Sequence, residues 1–185
     1  DDYVAFLGRI VQPKGLHIAI EAIKKHNQTS LKPLKLKIAG KHYADTSSDD
    51  YWQTTIEPEI GEHIEYVGFI KGDRARNDFL GNAKALIIPS LFDEPFGMVM
   101  IESLASGTPI IGLDSGAIPE VITDKNGILV KKEDSDAGTI QNLSDAIGSI
   151  YIISRIDCRV DFEQRFSADR MCEEHAAIYR KLITK

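Results

Sequence analysis

From residue 3 to residue 139, segments with strand spacing alternate with segments of helical spacing, and few folds accommodate that alternation. YVAFLGRI (3–10) is apolar and rich in residues suited to a strand. KGLHIAIEAIKKH (14–26) then shifts to helical spacing through Leu16, Ile20 and Ile23. LKLKIAG (34–40), HIEYVGFI (63–70), KALIIPS (84–90), TPIIGLDS (108–115) and GILVK (127–131) predict five further strands. YWQTTIEPEI (51–60), DRARNDFLGNA (73–83), the segment around Glu102 ended by Gly107, and IPEVITD (118–124) predict helices between them. Such a series builds a parallel sheet with helices on both faces, a Rossmann-like α/β fold. HYADTSSDD (42–50) reads as an exposed loop. Past residue 139 the strand signals stop, and LSDAIGSIYII, DFEQRF and SADRMCEEHAAIYRKLI predict helices, the last capped by Ser167. A length of 185 residues suits one domain and is short for two. The expected division is an α/β core over 1–139 and C-terminal helices over 140–185.

Composition narrows the class of partner. With 43% hydrophobic and 27% charged residues the chain is expected to fold, and a net charge of −6 argues against nucleic acid or an anionic membrane as ligand. A local cationic pocket is compatible with that charge, because screening limits its reach to about 10 Å. Cys158 and Cys172 make neither a disulfide framework nor a metal site and are expected as free thiols in a reducing, cytoplasmic compartment. His17, His26, His42, His63 and His175 lack ligand spacing, so no metal is expected. The sequons at Asn27 and Asn142 stand without a secretion signal, and no apolar run approaches the roughly 20 residues that span a bilayer. The opening DDYVAFLGRI has no start methionine and runs straight into a strand, as expected of a piece of something larger.

In an open parallel sheet, ligands bind beyond the carboxyl ends of the strands. GRIVQPKG, AGKHYAD, GFIKGD and SLFDEPFG fall at such ends. In the first, Gly8 is expected to let the backbone turn, so that Arg9 and Lys14 project two cations suited to a diphosphate. On these residues alone a solvated Arg9 and an idle Lys14 fit as well. The fourth leads into EPFGMVMIE (94–102). Pro95 suits the first turn of a helix, which would set Glu94 just ahead of the helix and Glu102 inside it. The helical neighbours of Glu102 are Met98, Val99, Ala105 and Ser106, an apolar or small face, so its carboxylate is expected to be buried and to need a hydrogen-bonding partner. Backbone N–H groups from Phe96 through Gly97 and Met98 to Val99 would face phosphate or sugar oxygens. No GxGxxG, GxxxxGK[ST] or GxSxG occurs, which excludes a dinucleotide fingerprint, a P-loop and a hydrolase elbow.

Taken in order, GRIVQPKG, AGK, YVGFIKGD, NAKALIIPSLFDEPFGMVMIESLASGTPIIG and SGAIPEVI resemble the retaining glycosyltransferases of family 4, and the likeness runs to the RFSADRM…IYRKLI tail. The most specific element is two glutamates separated by seven residues, with Phe-Gly after the first. The resemblance implies one half of a two-domain GT-B enzyme, the C-terminal donor-binding domain, with an absent N-terminal half that binds the acceptor. It implies that Arg9 and Lys14 hold the diphosphate of a nucleotide sugar and that Glu102 accepts from the ribose hydroxyls. Glu94 would lie against the transferred sugar, and Phe96, Gly97, Met98 and Val99 would contact sugar and phosphate through N–H groups. The stretch Val67 to Ile70, with Gly68 and Phe69, would meet the base. The implied reaction is hexosyl transfer with retention, with Glu94, Arg9 and Lys14 as catalytic residues. It needs no metal or cofactor, and the full-length enzyme would sit in the cytoplasm, in places at a membrane surface. A related nucleotide-sugar epimerase, a phosphorylase-like enzyme and a non-catalytic nucleotide-binding module are the alternatives.

Overall fold

Six strands carry the architecture among the residues described, 2–43 and 46–183, of the computed structural model. They are β1 (Tyr3–Leu7), β2 (Lys35–Ala39), β3 (Ile64–Gly68), β4 (Ala85–Ile88), β5 (Ile110–Leu113) and β6 (Gly127–Val130). All pairs are parallel, in the spatial order 3-2-1-4-5-6. Successive side chains of a strand point to opposite faces, so each central strand feeds two cores. Val4, Phe6, Ile87 and Ile111 pack on one face, and Tyr3, Ala5, Leu86 and Ile110 on the other. Burial on both faces is why these strands read as near-continuous apolar runs.

Helices α1 (Leu16–Thr29), α2 (Ser47–Tyr51) and α6 (Asp136–Ser149) cover the first face. The second carries α3 (Asp73–Gly81), α4 (Met98–Ala105), α5 (Ile118–Val121) and α7 (Arg155–Arg165). On α1, Leu16, Ile20 and Ile23 are buried as their spacing predicts. Each such side chain contributes about 1.5–3 kcal/mol by leaving water. On β2 and β3 the second face is polar at Lys35, Lys37 and Glu65, with Lys35 and Val67 exposed. The K-L-K-I alternation of β2 is the sequence signature of that half-open edge.

Three sequence expectations are corrected here. The stretch 42–50 is not loop throughout, since Ser47–Tyr51 is helical, with Asp49 and Asp50 in its first turn where acidic side chains complement the helix dipole. Ala44 and Asp45 of that stretch lie outside the described residues. The helix expected over 51–60 changes register to a π-turn at Trp52–Ile56 and a 3-10 turn at Glu57–Glu59, because Pro58 supplies no N–H to continue an α-ladder. The boundary between 139 and 140 falls inside α6, whose Leu143, Ala146 and Ile147 belong to the core.

Helix α7 is tied down by Arg155. Its guanidinium donates to the carbonyls of Ala83 at 2.7 Å and Gly81 at 2.6 Å and to Thr108 Oγ1 at 2.8 Å. Helix α8 (Ala168–Ile183) is opened by Ser167, whose Oγ accepts the Arg170 N–H at 3.3 Å. It buries no residue and leaves Met171, Ile178, Tyr179 and Leu182 exposed along one side. No described helix is long and apolar enough to cross a membrane.

Candidate donor site at the switch point of the sheet

The strand order reverses between β1 and β4, and crossovers diverge there to opposite faces of the sheet, opening a crevice at the carboxyl ends. A cavity of about 180 Å³ occupies it, lined by Gly8, Arg9, Lys14, Glu94, Gly97, Met98 and Val99 among others. A larger groove of about 850 Å³ beside Lys84, Pro109 and Tyr151 lies at the amino ends of the strands, the wrong end of such a sheet for a ligand.

Lys14 reaches the crevice through a short turn. Gln12–Lys14 form one turn of 3-10 helix containing Pro13, closed by Gly15 at φ +69°. The Leu91 N–H donates to the Pro13 carbonyl at 2.8 Å, so the turn is pinned to the chain leaving β4. A Cβ on Gly15 would sit 1.9 Å from the Pro89 carbonyl oxygen, a contact only glycine allows. Gly8, by contrast, has no positive φ, and a Cβ there would meet only the Phe6 ring at 3.9 Å. The expectation that Gly8 makes the turn is therefore corrected: Gly15 does.

Lys14 and Glu94 meet directly. The Lys14 ammonium donates to Glu94 Oε2 at 2.5 Å, and Ser90 Oγ donates to the same oxygen at 3.2 Å. Glu94 and Ser90 are buried, and the Lys14 ammonium also lies 4.7 Å above the Phe92 ring. The Glu94 backbone is held as well: its carbonyl accepts the Ala117 N–H at 2.8 Å, and a Cβ on Gly116 (φ +56°) would strike its N and O. Arg9 is exposed at the rim and pairs with no described residue.

Helix α4 begins at Met98, three residues later than Pro95 suggested. Gly97 stands at φ +78°, ψ 65°, a left-handed conformation through which no right-handed helix continues, so Pro95 and Phe96 stay in the loop. No side chain caps α4, and its first N–H groups open onto the cavity wall formed by Met98 and Val99. Helix α1 differs. Its His17 N–H donates to Tyr51 Oη at 3.1 Å, and the same hydroxyl lies 2.8 Å from His17 Nδ1. Burial pushes Tyr51 up to about 12 despite the opposing His17 N–H, so the hydroxyl stays protonated. The N-terminus of α1 is thus met by a side chain of the protein, and that of α4 is not.

The expectation of a buried Glu102 is corrected, since a charged partner on the neighbouring helix meets its carboxylate at the surface. Glu94 is the buried one. Glu102 is partly exposed, and the Arg76 guanidinium on α3 donates to its Oε1 at 2.6 Å. The cavity brings together Arg9, Lys14, Glu94, Gly97, Met98 and Val99. Glu102 lies one turn further along α4, Phe96 is exposed on the loop, and Gly68 (φ +81°) and Phe69 stand at the end of β3, away from the cavity lining. Lys41 Nζ lies 4.1 Å from the Phe69 ring centroid. Ser90, Arg76, Tyr51 and Gly15 also shape the site and are not marked by any motif in the sequence. Ser90 alone carried a signal, four residues before Glu94 at a strand end. Among the described residues no group of three His, Cys, Asp or Glu is placed to hold a metal ion.

The family model for glycosyl transferases group 1 matches residues 1–147. The chain belongs to that family. It is 30% identical to an uncharacterized glycosyltransferase, MJ1607, of Methanocaldococcus jannaschii over 96% of this chain and 44% of the relative. It is 29% identical to the phosphatidyl-myo-inositol mannosyltransferase of Mycobacterium leprae over 72% of this chain and 34% of that protein. Among solved structures it resembles sucrose-phosphate synthase from Thermosynechococcus elongatus, with TM-score 0.79 and 23% identity over 100% of this chain and 46% of that one. It also resembles Anabaena HepE solved in complex with UDP and glucose, with TM-score 0.79 and 18% identity over 98% and 48%. The chain therefore spans about half the length of the glycosyltransferases it matches, and its fold is one Rossmann-like half of the GT-B arrangement.

Proposed function

We propose that this group 1 glycosyltransferase chain is a donor-binding half, taking a nucleoside-diphosphate sugar and serving its transfer to an acceptor with retention of configuration. The carrying observation is the convergence of Arg9, Lys14 and the uncapped N-terminus of α4 on one crevice that also holds the buried carboxylate of Glu94. Two cations and a helix N-terminus suit a diphosphate and the charge that builds on it as the glycosidic bond breaks. In this proposal those groups stabilise the leaving diphosphate, so no metal or cofactor is assigned. Glu94 faces the transferred hexose, Glu102 takes the ribose hydroxyls, and Gly68 and Phe69 border the base. That HepE was solved with UDP and glucose supports a nucleotide-sugar donor. The acceptor would come to an N-terminal half, onto which the apolar side of α8 would pack, in a cytoplasmic enzyme that meets a membrane only peripherally.

A thermal-shift panel of UDP, GDP, ADP and their common sugars, run on this chain, tests the donor part. A ligand at a hundred times its Kd adds about 2.7 kcal/mol of stability, so one nucleotide series should raise Tm clearly. No shift with any of them would overturn the reading. Transfer of labelled sugar by the longer protein then separates a transferase from an epimerase.

Glu102→Ala should weaken nucleotide binding about tenfold or more, since a hydrogen bond to a charged group contributes about 1.5–3 kcal/mol. The fold should persist, because Arg76 is exposed enough to turn to water. Calorimetric titration giving equal nucleotide affinity in variant and parent would reduce Glu102 to a partner of Arg76 alone.

A further inference from the structure

We infer that Glu94 is the internal counter-ion the donor diphosphate must displace from Lys14, and that re-formation of the Lys14–Glu94 pair drives the spent nucleoside diphosphate out. The inference rests on the proposed donor site and adds to it a role for Glu94 before sugar binds and after it leaves.

Four observations meet in it. The Lys14 ammonium already spends a short, charge-assisted hydrogen bond on Glu94 Oε2. The carboxylate cannot follow if the ammonium turns to a phosphate, because its backbone is clamped by Ala117 and Gly116 and its side chain is buried on Ser90. The ammonium can move: it sits at the end of a flexible stem at the wall of the same cavity that Arg9 rims. Arg9 has no partner among the described residues, so the two cations differ in kind. One is free to capture a diphosphate, and the other is held in reserve by a buried acid. When Lys14 turns to the phosphates, Glu94 keeps only Ser90, a poor match for a buried charge. That unmet acceptor is then available to the developing positive charge of the sugar, and after transfer it takes Lys14 back.

The test uses UDP, GDP and ADP, which lack the sugar that Glu94 is proposed to face, together with uridine, guanosine and adenosine. Glu94→Gln removes the competing charge while its amide oxygen still accepts from Ser90. By titration calorimetry it should bind the cognate nucleoside diphosphate about tenfold more tightly than the parent and release it more slowly, with nucleoside affinity unchanged. Glu94→Asp keeps the negative charge but withdraws it from Lys14 by one methylene, and it should also bind more tightly than the parent. Tighter binding by Glu94→Gln with parent-like Glu94→Asp would mean plain charge repulsion and would overturn the inference, as would no gain in either. If the parent binds none of the three diphosphates, the donor-site reading itself falls. Should either variant prove unfolded, the Lys14 side-chain NMR signal of the parent decides: it must shift on adding the nucleoside diphosphate, and a static signal overturns the exchange of partners.

Discussion

Gly15→Ala should cost about 3 kcal/mol of stability or more and carry the nucleotide site down with it. The added methyl would lie 1.9 Å from the Pro89 carbonyl oxygen, which belongs to the backbone leaving β4 and cannot rotate away. Overpacking of this kind costs about 1–3 kcal/mol. The left-handed φ of +69° adds roughly 1–2 kcal/mol for a residue with a Cβ. The relief available is to push the Gln12–Lys14 turn off β4, which breaks the bond from Leu91 to Pro13 and withdraws Lys14 from Glu94. Gly8→Ala is the matched control on the same loop. Its methyl meets only the Phe6 ring at 3.9 Å, so its stability should match the parent or slightly exceed it, through a less flexible unfolded chain. Urea midpoints compare the pair, and equal midpoints for Gly15→Ala and Gly8→Ala would refute the pinned turn.

Lys14→Ala and Arg9→Ala should each weaken nucleoside diphosphate binding by about ten- to a hundredfold and leave nucleoside binding nearly intact. That ratio follows if each cation makes a charge-assisted bond to phosphate, contributing about 1.5–3 kcal/mol. The two should differ otherwise. Arg9 is exposed and has no partner among the described residues, so its removal should leave the melting temperature in place. Removal of Lys14 strands the buried Glu94 carboxylate, and breaking a buried pair from one side is strongly destabilising. Lys14→Ala is therefore expected to lower Tm as well, and Glu94→Gln in the same chain to recover much of that loss. Parallel losses for nucleoside and diphosphate would remove both residues from phosphate binding.

The legible parts of this chain were those decided by local pattern. Each strand and the parallel class followed from apolar runs set between helical periods, and Ser167 and Gly107 marked helix ends by chemistry that acts within a turn. The cations of GRIVQPKG and the EPFG loop fell at strand ends, where topology gathers them. What escaped was decided at long range. Nothing near Gly8 or Gly15 tells which glycine the fold demands; that depends on the approach of Pro89 from another strand. Pro95 offered a reasonable helix start, but the left-handed Gly97 delayed it to Met98, and the apolar helical neighbours of Glu102 pointed to a burial that the structure does not show. Arg76 became the partner of Glu102 only because α3 packs beside α4.

In the proposed function a nucleoside diphosphate binds between β1 and β4 against the N-terminus of α4. The most direct measurement is a backbone amide NMR titration of this chain with the nucleotide that raises Tm. The largest shifts are expected at Gly8, Arg9, Gly97, Met98 and Val99, with a second group near Glu102 and Gly68 and quiet signals at the opposite end of the sheet. Shifts concentrated around Lys84, Tyr151 and Gly148, with Arg9 and Met98 unmoved, would place the ligand in the other groove and contradict that binding mode.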